Sequence, residues 1–388
     1  MKGKSRVLWV VVLCAAASSA RATVVIDTVP VGNPNNAPDT RYATPGYGSV
    51  DHTFNMGKFE ITAGQYTEFL NAVAATDTYG LYNPLMWSDY QGCKIERSGD
   101  PGSYTYEVLD DPDVPGAEWA NRPVNFVSWG SAARFANWLH NGQPTGAQGP
   151  STTEDGSYFL NGATSNAALQ AVVREPDATW VIPSEDEWYK AAYHKNDGVT
   201  GNYWDYPTGS DSVPSNQLID PDPGNNGNFL WSAGSYTLGS PYWRTEVGEF
   251  EKSESPYGTF DQGGNVWEWN EVILTDGSYR GLRGGGFDIY AGYGLYAADR
   301  EGDVPTLEYQ IVGFRVATVA GPRGDVNCDG AVDFDDINPF VTALVGRSSY
   351  EGAYPNCRWL NGDINGDQSV DFDDINPFVA CLVSGGCQ

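Results

Sequence analysis

Basic residues are scarce in this 388-residue chain: 22 Lys and Arg stand against 50 Asp and Glu, a formal charge of −28. A surface that acidic repels phosphate, so nucleic acid and anionic membranes are excluded as default partners, while cations are welcome. Histidine is almost absent, and His52, His140 and His194 are far apart, so local spacing defines no histidine metal centre. Between Cys93 and Cys328 there is no cysteine at all. No G-x-S-x-G elbow, H-E-x-x-H helix or P-loop occurs. Past the N-terminus no apolar run is long enough to span a bilayer. The mature protein is therefore expected to be soluble or peripherally attached, without membrane insertion.

What is present begins with an export signal. Lys2, Lys4 and Arg6 precede an apolar run from Val7 to Ala17, and Ala20-Arg21-Ala22 has the small-x-small pattern of a cleavage site. Residues 1–22 read as a signal peptide, 23–50 as an N-terminal extension, and the location as secreted, extracellular or cell-surface. Aromatic content of 13%, including 13 Trp, carries enough burial to exclude disorder. Export permits disulfides. Four cysteines crowd the C-terminal end, and neighbouring order suggests Cys328–Cys357 and Cys381–Cys387, although spacing leaves the connectivity open. Cys93 reads as a small buried hydrophobe.

The segment Val332 to Val341 recurs without change as Val370 to Val379. Ahead of and within each copy, oxygen-bearing residues fall at alternating positions. The first set is Asp325, Asn327, Asp329, Asp333 and Asp336, the second Asp363, Asn365, Asp367, Asp371 and Asp374. These match positions 1, 3, 5, 9 and 12 of a twelve-residue calcium loop, whose position 7 gives a carbonyl, here Ala331 and Ser369. Gly330 suits the sharp turn at position 6; Gln368 replaces it in the second loop. After each loop, Ile337, Phe340, Val341 and Leu344, and Ile375, Phe378, Val379 and Leu382, predict one apolar helix face. The tandem of loop and helix over 324–388 resembles a type I dockerin. That resemblance implies calcium-dependent folding and docking onto a cohesin-like or cell-surface receptor. Phe334-Asp335 and Phe372-Asp373 stand where that family often has a hydroxyl pair, a departure that touches the receptor and not the ion.

From 51 to 320 the chain is rich in Gly, Trp and Tyr and has few periodic stretches. Three helices are predicted: one after the capping box Thr62-Ala-Gly-Gln65, one capped by Ser128, and one after the capping box Ser184-Glu-Asp-Glu187. The rest reads as α+β with long loops, a loop length that is uncommon unless functional or pinned.

Several motifs then follow in one order: Phe59-Glu-Ile-Thr62, Arg122-Pro-Val-Asn-Phe-Val-Ser-Trp129, Ile182-Pro-Ser-Glu-Asp-Glu-Trp188, Gly263-Gly-Asn-Val-Trp-Glu-Trp269, Leu282-Arg-Gly-Gly285 and Gly313-Phe-Arg315. Together they resemble the formylglycine-generating enzyme (sulfatase-modifying factor) family. The resemblance implies an irregular C-type-lectin-like fold, which would make the chain α+β with a small all-α calcium-binding module after it.

It also implies a copper-dependent oxidation of a substrate cysteine by two active-site cysteines. Their positions are held here by Ile289 and Gly294. Neither side chain can bind copper. A structural calcium of the family would fall on the Asp261 side chain, the Gly264 and Val266 carbonyls, and Glu268. A second would lie near Asn226 or Asn228. The expected function is a non-catalytic binding domain displayed outside the cell through its calcium repeat. The alternative is a formylglycine-generating or other non-haem metal oxidoreductase with different ligands.

Overall fold

The computed structural model describes residues 23–109, 119–175, 178–274, 277–290, 293–319, 323–327, 332–354, 357, 359–365, 367, 369–384 and 387. Two small sheets and a hairpin carry the large domain. The first sheet has the order β1-β2-β10-β5, all antiparallel, from β1 (Thr28–Val31), β2 (Phe54–Gly57), β5 (Trp180–Val181) and β10 (Ala317–Thr318). Met56 opposite Ala317 brings the two ends of the domain together. Because β1 lies in the expected N-terminal extension, that segment is a working part of this sheet. The hairpin is β3 (Ile95–Ser98) with β4 (Thr105–Val108).

The second sheet has the order β8-β7-β6-β9, from β6 (Trp267–Ile273), β7 (Arg280–Arg283), β8 (Glu301–Asp303) and β9 (Val312–Gly313). Only the β6–β9 pair is parallel. It seats Glu268 between Arg283 on one side and Gly313 on the other.

The three predicted helices form with the predicted caps. Helix α1 (Ala63–Val73) starts at a Thr62–Gln65 capping box, with Tyr66, Phe69, Leu70 and Val73 buried. A short α2 (Leu85–Ser88) follows. Helix α3 (Trp129–His140) is capped by Ser128, whose hydroxyl accepts from Ser131 N–H at 3.1 Å. After α4 (Asn166–Gln170), α5 (Glu185–Tyr193) begins at the Ser184–Glu187 box. Each box satisfies N–H groups that a helix start leaves open. Tyr66, Phe69, Phe135, Trp138 and Phe314 then interlock as tilted and edge-on rings in the main core.

Toward the C-terminus, α6 (Ile337–Val345), α7 (Arg347–Ala353) and α8 (Ile375–Ser384) surround a cluster of their own. It contains Val326, Phe340, Ala343, Tyr350, Cys357, Val370 and Phe378. Phe340 and Phe378, equivalent in the two copies, stack with centroids 4.0 Å apart. The inward face differs from the predicted one: Val341 is 53% and Val379 52% exposed, while Ala343 is fully buried. Cys381 pairs with Cys387, and Cys357 is also disulfide-bonded; its expected partner Cys328 lies outside the described residues.

Candidate functional site

The turn that follows β7 carries the two positions, 289 and 294, at which the family resemblance expects cysteines. Ile289 donates its N–H to Gly286 O at 3.0 Å, and its own carbonyl accepts from Leu230 N–H at 3.0 Å. Gly294 sits at φ +99°, and a Cβ placed on it would lie 3.0 Å from Ile289 Cγ2. The loop therefore does bring positions 289 and 294 face to face. What it brings together is a methyl group and a hydrogen. Copper of this kind needs soft sulfur, so the residues present do not fit it. Cys93 offers no substitute among the described residues: it is fully buried, and burial pushes its thiol up, away from the reactive thiolate.

The three histidines serve separate local structures. His140 Nδ1 is 3.0 Å from Thr179 Oγ1. His194 lies 2.8 Å from the Tyr257 hydroxyl and 3.1 Å from Thr200 O. His52 sits between Asp51 and Glu187, at 2.8 and 3.0 Å.

A second feature is an interior group of carboxylates around one guanidinium. Glu268 and Arg315 are both fully buried, joined Nε to Oε2 at 2.6 Å and Nη2 to Oε1 at 2.8 Å. Trp188 Nε1 adds a third donor to Glu268 at 2.7 Å. Of the expected calcium ligands, Glu268 thus has its oxygens engaged by protein donors. Asp261, at φ +59°, accepts from Gly248 N–H at 2.6 Å through one oxygen. Gly264 donates to Gly284 O at 2.9 Å and must be glycine: at φ +106° a Cβ would meet Asn228 O at 2.2 Å.

Sequence reading missed Glu60. It is 1% exposed, and neither of its carboxylate oxygens has a hydrogen-bond partner. Burial and the neighbouring Asp261 charge push the Glu60 carboxyl well above the usual carboxylate range, against the pull of Arg315. Burial likewise pushes Asp261 up to about 6. Three carboxyl groups facing one guanidinium are what an added cation would relieve, and the unpartnered Glu60 oxygens are hard donors of the calcium kind. The Asn226 and Asn228 side-chain oxygens are also buried without partners. The only hint in the sequence was the alternation Phe59-Glu60-Ile61, which places an acid inside an apolar strand-like run.

In the C-terminal repeat the last acid of each loop is held in the same way. Asp336 Oδ1 accepts from Val326 and Asn327 N–H at 2.8 and 3.0 Å, and its Oδ2 from Asp333 N–H at 2.9 Å. Asp374 repeats this with Ile364, Asn365 and Asp371 at 2.7, 3.0 and 3.0 Å. Asp325 and Asp363 are 3% and 6% exposed. Asp367 Oδ1 accepts from Ser369 N–H at 2.9 Å, while Asp333 and Asp371 are exposed at the helix starts. Asp329 and Ala331, with Gly330 and Gln368, lie outside the described residues. Among the described residues no group of three or more His, Cys, Asp or Glu is arranged to hold an ion. An ion in either place would have to draw on amide and carbonyl oxygens as well.

The description "Sulfatase-modifying factor enzyme 1-like domain" matches residues 15–320. The chain belongs to this family. The match ends before the duplicated repeat begins. Solved structures similar to the chain include CarF, at 18% identity over 77% of this chain and 100% of that one, with a TM-score of 0.46. Variable protein 1 of Treponema denticola follows at 19% identity, 75% and 94% coverage, and a TM-score of 0.43. PvdO from Pseudomonas aeruginosa has 17% identity, 76% and 92% coverage, and a TM-score of 0.39. No curated protein matches the sequence.

Proposed function

We propose that this is an exported binding protein, in which a sulfatase-modifying-factor domain without its copper chemistry is displayed through a dockerin-like calcium repeat. The observation that carries the first half is the pairing of Ile289 with Gly294, where the family's activity needs two thiolates. Basic residues before an apolar run at the N-terminus support export, and among the described residues no helix is long and apolar enough to cross a membrane.

Two further elements rest on chemistry. Calcium suits the C-terminal loops because eleven acids and two bases lie between Gly324 and Gln388, and such a segment repels itself without cations. It also suits the Glu60, Asp261, Gly264, Val266 and Glu268 neighbourhood, where Glu60 supplies the free carboxylate. The repeat's partner is a cohesin-like or other cell-surface receptor. Metal analysis of the purified protein tests the reading: calcium without copper or iron supports it, whereas stoichiometric copper or iron points to an oxidoreductase.

A further inference from the structure

We propose that the Cys381–Cys387 disulfide props the first calcium loop of the repeat and not the second, so that calcium binding at the first loop depends on the redox state around the protein. This rests on the reading of the repeat as a calcium module and adds how one of its two sites is controlled.

The repeat is duplicated in its loops but not in its cysteines. With the two copies in register, Ala343 stands opposite Cys381 and Ser349 opposite Cys387. The glycine before each loop shows what that difference does. In the second loop, a Cβ placed on Gly362 would lie 2.9 Å from Val370 Cγ1 and 3.6 Å from Ala343 Cβ. In the first, a Cβ placed on Gly324 would lie 2.9 Å from Val332 Cγ1 and 2.7 Å from Cys387 Sγ. Gly324 is the equivalent of Gly362, and Val332 of Val370. The disulfide therefore stands behind the first loop where a helix methyl group stands behind the second.

The two supports differ in what holds them. Ala343 is fully buried within α6, in the repeat's own core, and the helix keeps it there. Cys387 lies past Ser384, the end of α8, and is fixed by its bond to Cys381, which is 5% exposed on that helix. Without the bond, a segment beyond a helix end loses conformational entropy to return to the same place.

The prop also sits where the loop closes round an ion. Gly324 and Val332 directly precede Asp325 and Asp333, the first and ninth positions of the loop, and Asp325 is 3% exposed. Cys357 Sγ, a sulfur of another disulfide, is 3.8 Å from Asp325 O. Both bridges thus bear on the first loop. Reduction by a dithiol delivers two electrons and two protons: the S–S bond breaks, Cys381 and Cys387 become thiols, and the dithiol closes into its own disulfide. Gly324 and Val332 then lose the fixed sulfur they pack on. Because thiols stay reduced inside the cell, the first site is completed only in an oxidising compartment.

The test is calcium titration of the full chain against a chromophoric chelator, with the bridge intact and in Cys381→Ala/Cys387→Ser. Each is read with Asp374→Ala, which isolates the first loop, and with Asp336→Ala, which isolates the second. Any calcium held by the large domain is common to all four chains. Removing the bridge should weaken the first loop about tenfold and leave the second unchanged. Dithiothreitol added to the wild-type chain should release one calcium ion from the repeat and keep the other, an answer that needs no variant to fold. Equal loss at both loops, loss at the second alone, or no change at either overturns the proposal and leaves the calcium reading intact. A repeat that binds no calcium in the oxidised chain overturns that reading, and the proposal with it.

Discussion

Arg315 closes on Glu268 through two charge-assisted hydrogen bonds in a site that excludes water from both side chains. The pair joins the last motif of the domain to its central strand, and Arg315 also donates to Gly57 O and Phe260 O at 2.9 and 2.8 Å. Removing one partner strands a buried charge, which typically costs 3–5 kcal/mol. Arg315→Ala should destabilise the domain by about that amount in denaturant unfolding, and so should Glu268→Ala. The double variant should cost less than the sum of the two. Strict additivity would show that the pair is not the unit described.

The turn at Gly294 makes a prediction about restored chemistry. A Cβ there would lie 2.8 Å from Gly285 Cα and 3.1 Å from Trp267 Cζ2, at a φ that L side chains avoid. Ile289→Cys with Gly294→Cys should therefore lower stability by about 1–3 kcal/mol and give no tight Cu(I) site. Titration with a Cu(I) indicator checks it. The backbone at Gly294 leaves no room for a second thiol, because Gly285 Cα and Trp267 already occupy the space its Cβ would take.

His52 supplies a pH dependence. Hydrogen bonds that its ring N–H groups donate to Glu187 first and to Asp51 second raise its pKa above the ordinary value, against the pull of burial. Burial opposes ionisation of Glu187, but Arg174 and His52 hold its carboxyl well below the usual range. A raised histidine pKa means the folded state binds the proton more tightly. That stabilisation is complete below about pH 6.5 and fades as pH rises through the raised value. Because the side chain is 41% exposed, solvent screening limits it to under about 1 kcal/mol. Stability curves of wild type and His52→Gln should diverge on the acidic side and converge toward alkaline pH. Curves that remain parallel would contradict this.

How much of this was legible beforehand depended on how local the cause was. The capping boxes at Thr62 and Ser184 are chemistry within four residues, and both helices start where those residues say. Motif order named positions 289 and 294, and the fold alone shows that they face each other. Glu60 was not, because the charges that act on its buried carboxyl, Asp261 and Arg315, stand some 200 to 250 positions away in the chain. The outward turn of Val341 was missed for a similar reason. Helical spacing names an apolar face, but the Phe340–Phe378 stack selects which part of it is covered. Helix α7 has no apolar period to announce it.

The C-terminal repeat should depend on calcium. A core of so few residues stabilises little, and the acids around Asp336 and Asp374 repel one another without an ion. Chelation should unfold the repeat while the sulfatase-modifying-factor domain keeps its near-ultraviolet signal. Gln368→Gly should tighten the second site, since position 6 of a calcium loop of this kind calls for a left-handed turn, where a side chain costs about 1 kcal/mol. Calorimetry with two equal sites that ignore this change would count against the loop assignment.

The central claim is that the domain keeps its family's fold without its oxidation chemistry. The most direct measurement is incubation of the purified protein with a sulfatase-type cysteine peptide, oxygen, a thiol reductant and Cu(I), followed by mass spectrometry for the aldehyde. If Ile289 and Gly294 hold the thiolate positions, as the proposed function has it, the peptide should be recovered with its cysteine unchanged. Aldehyde formed in proportion to enzyme would contradict the account.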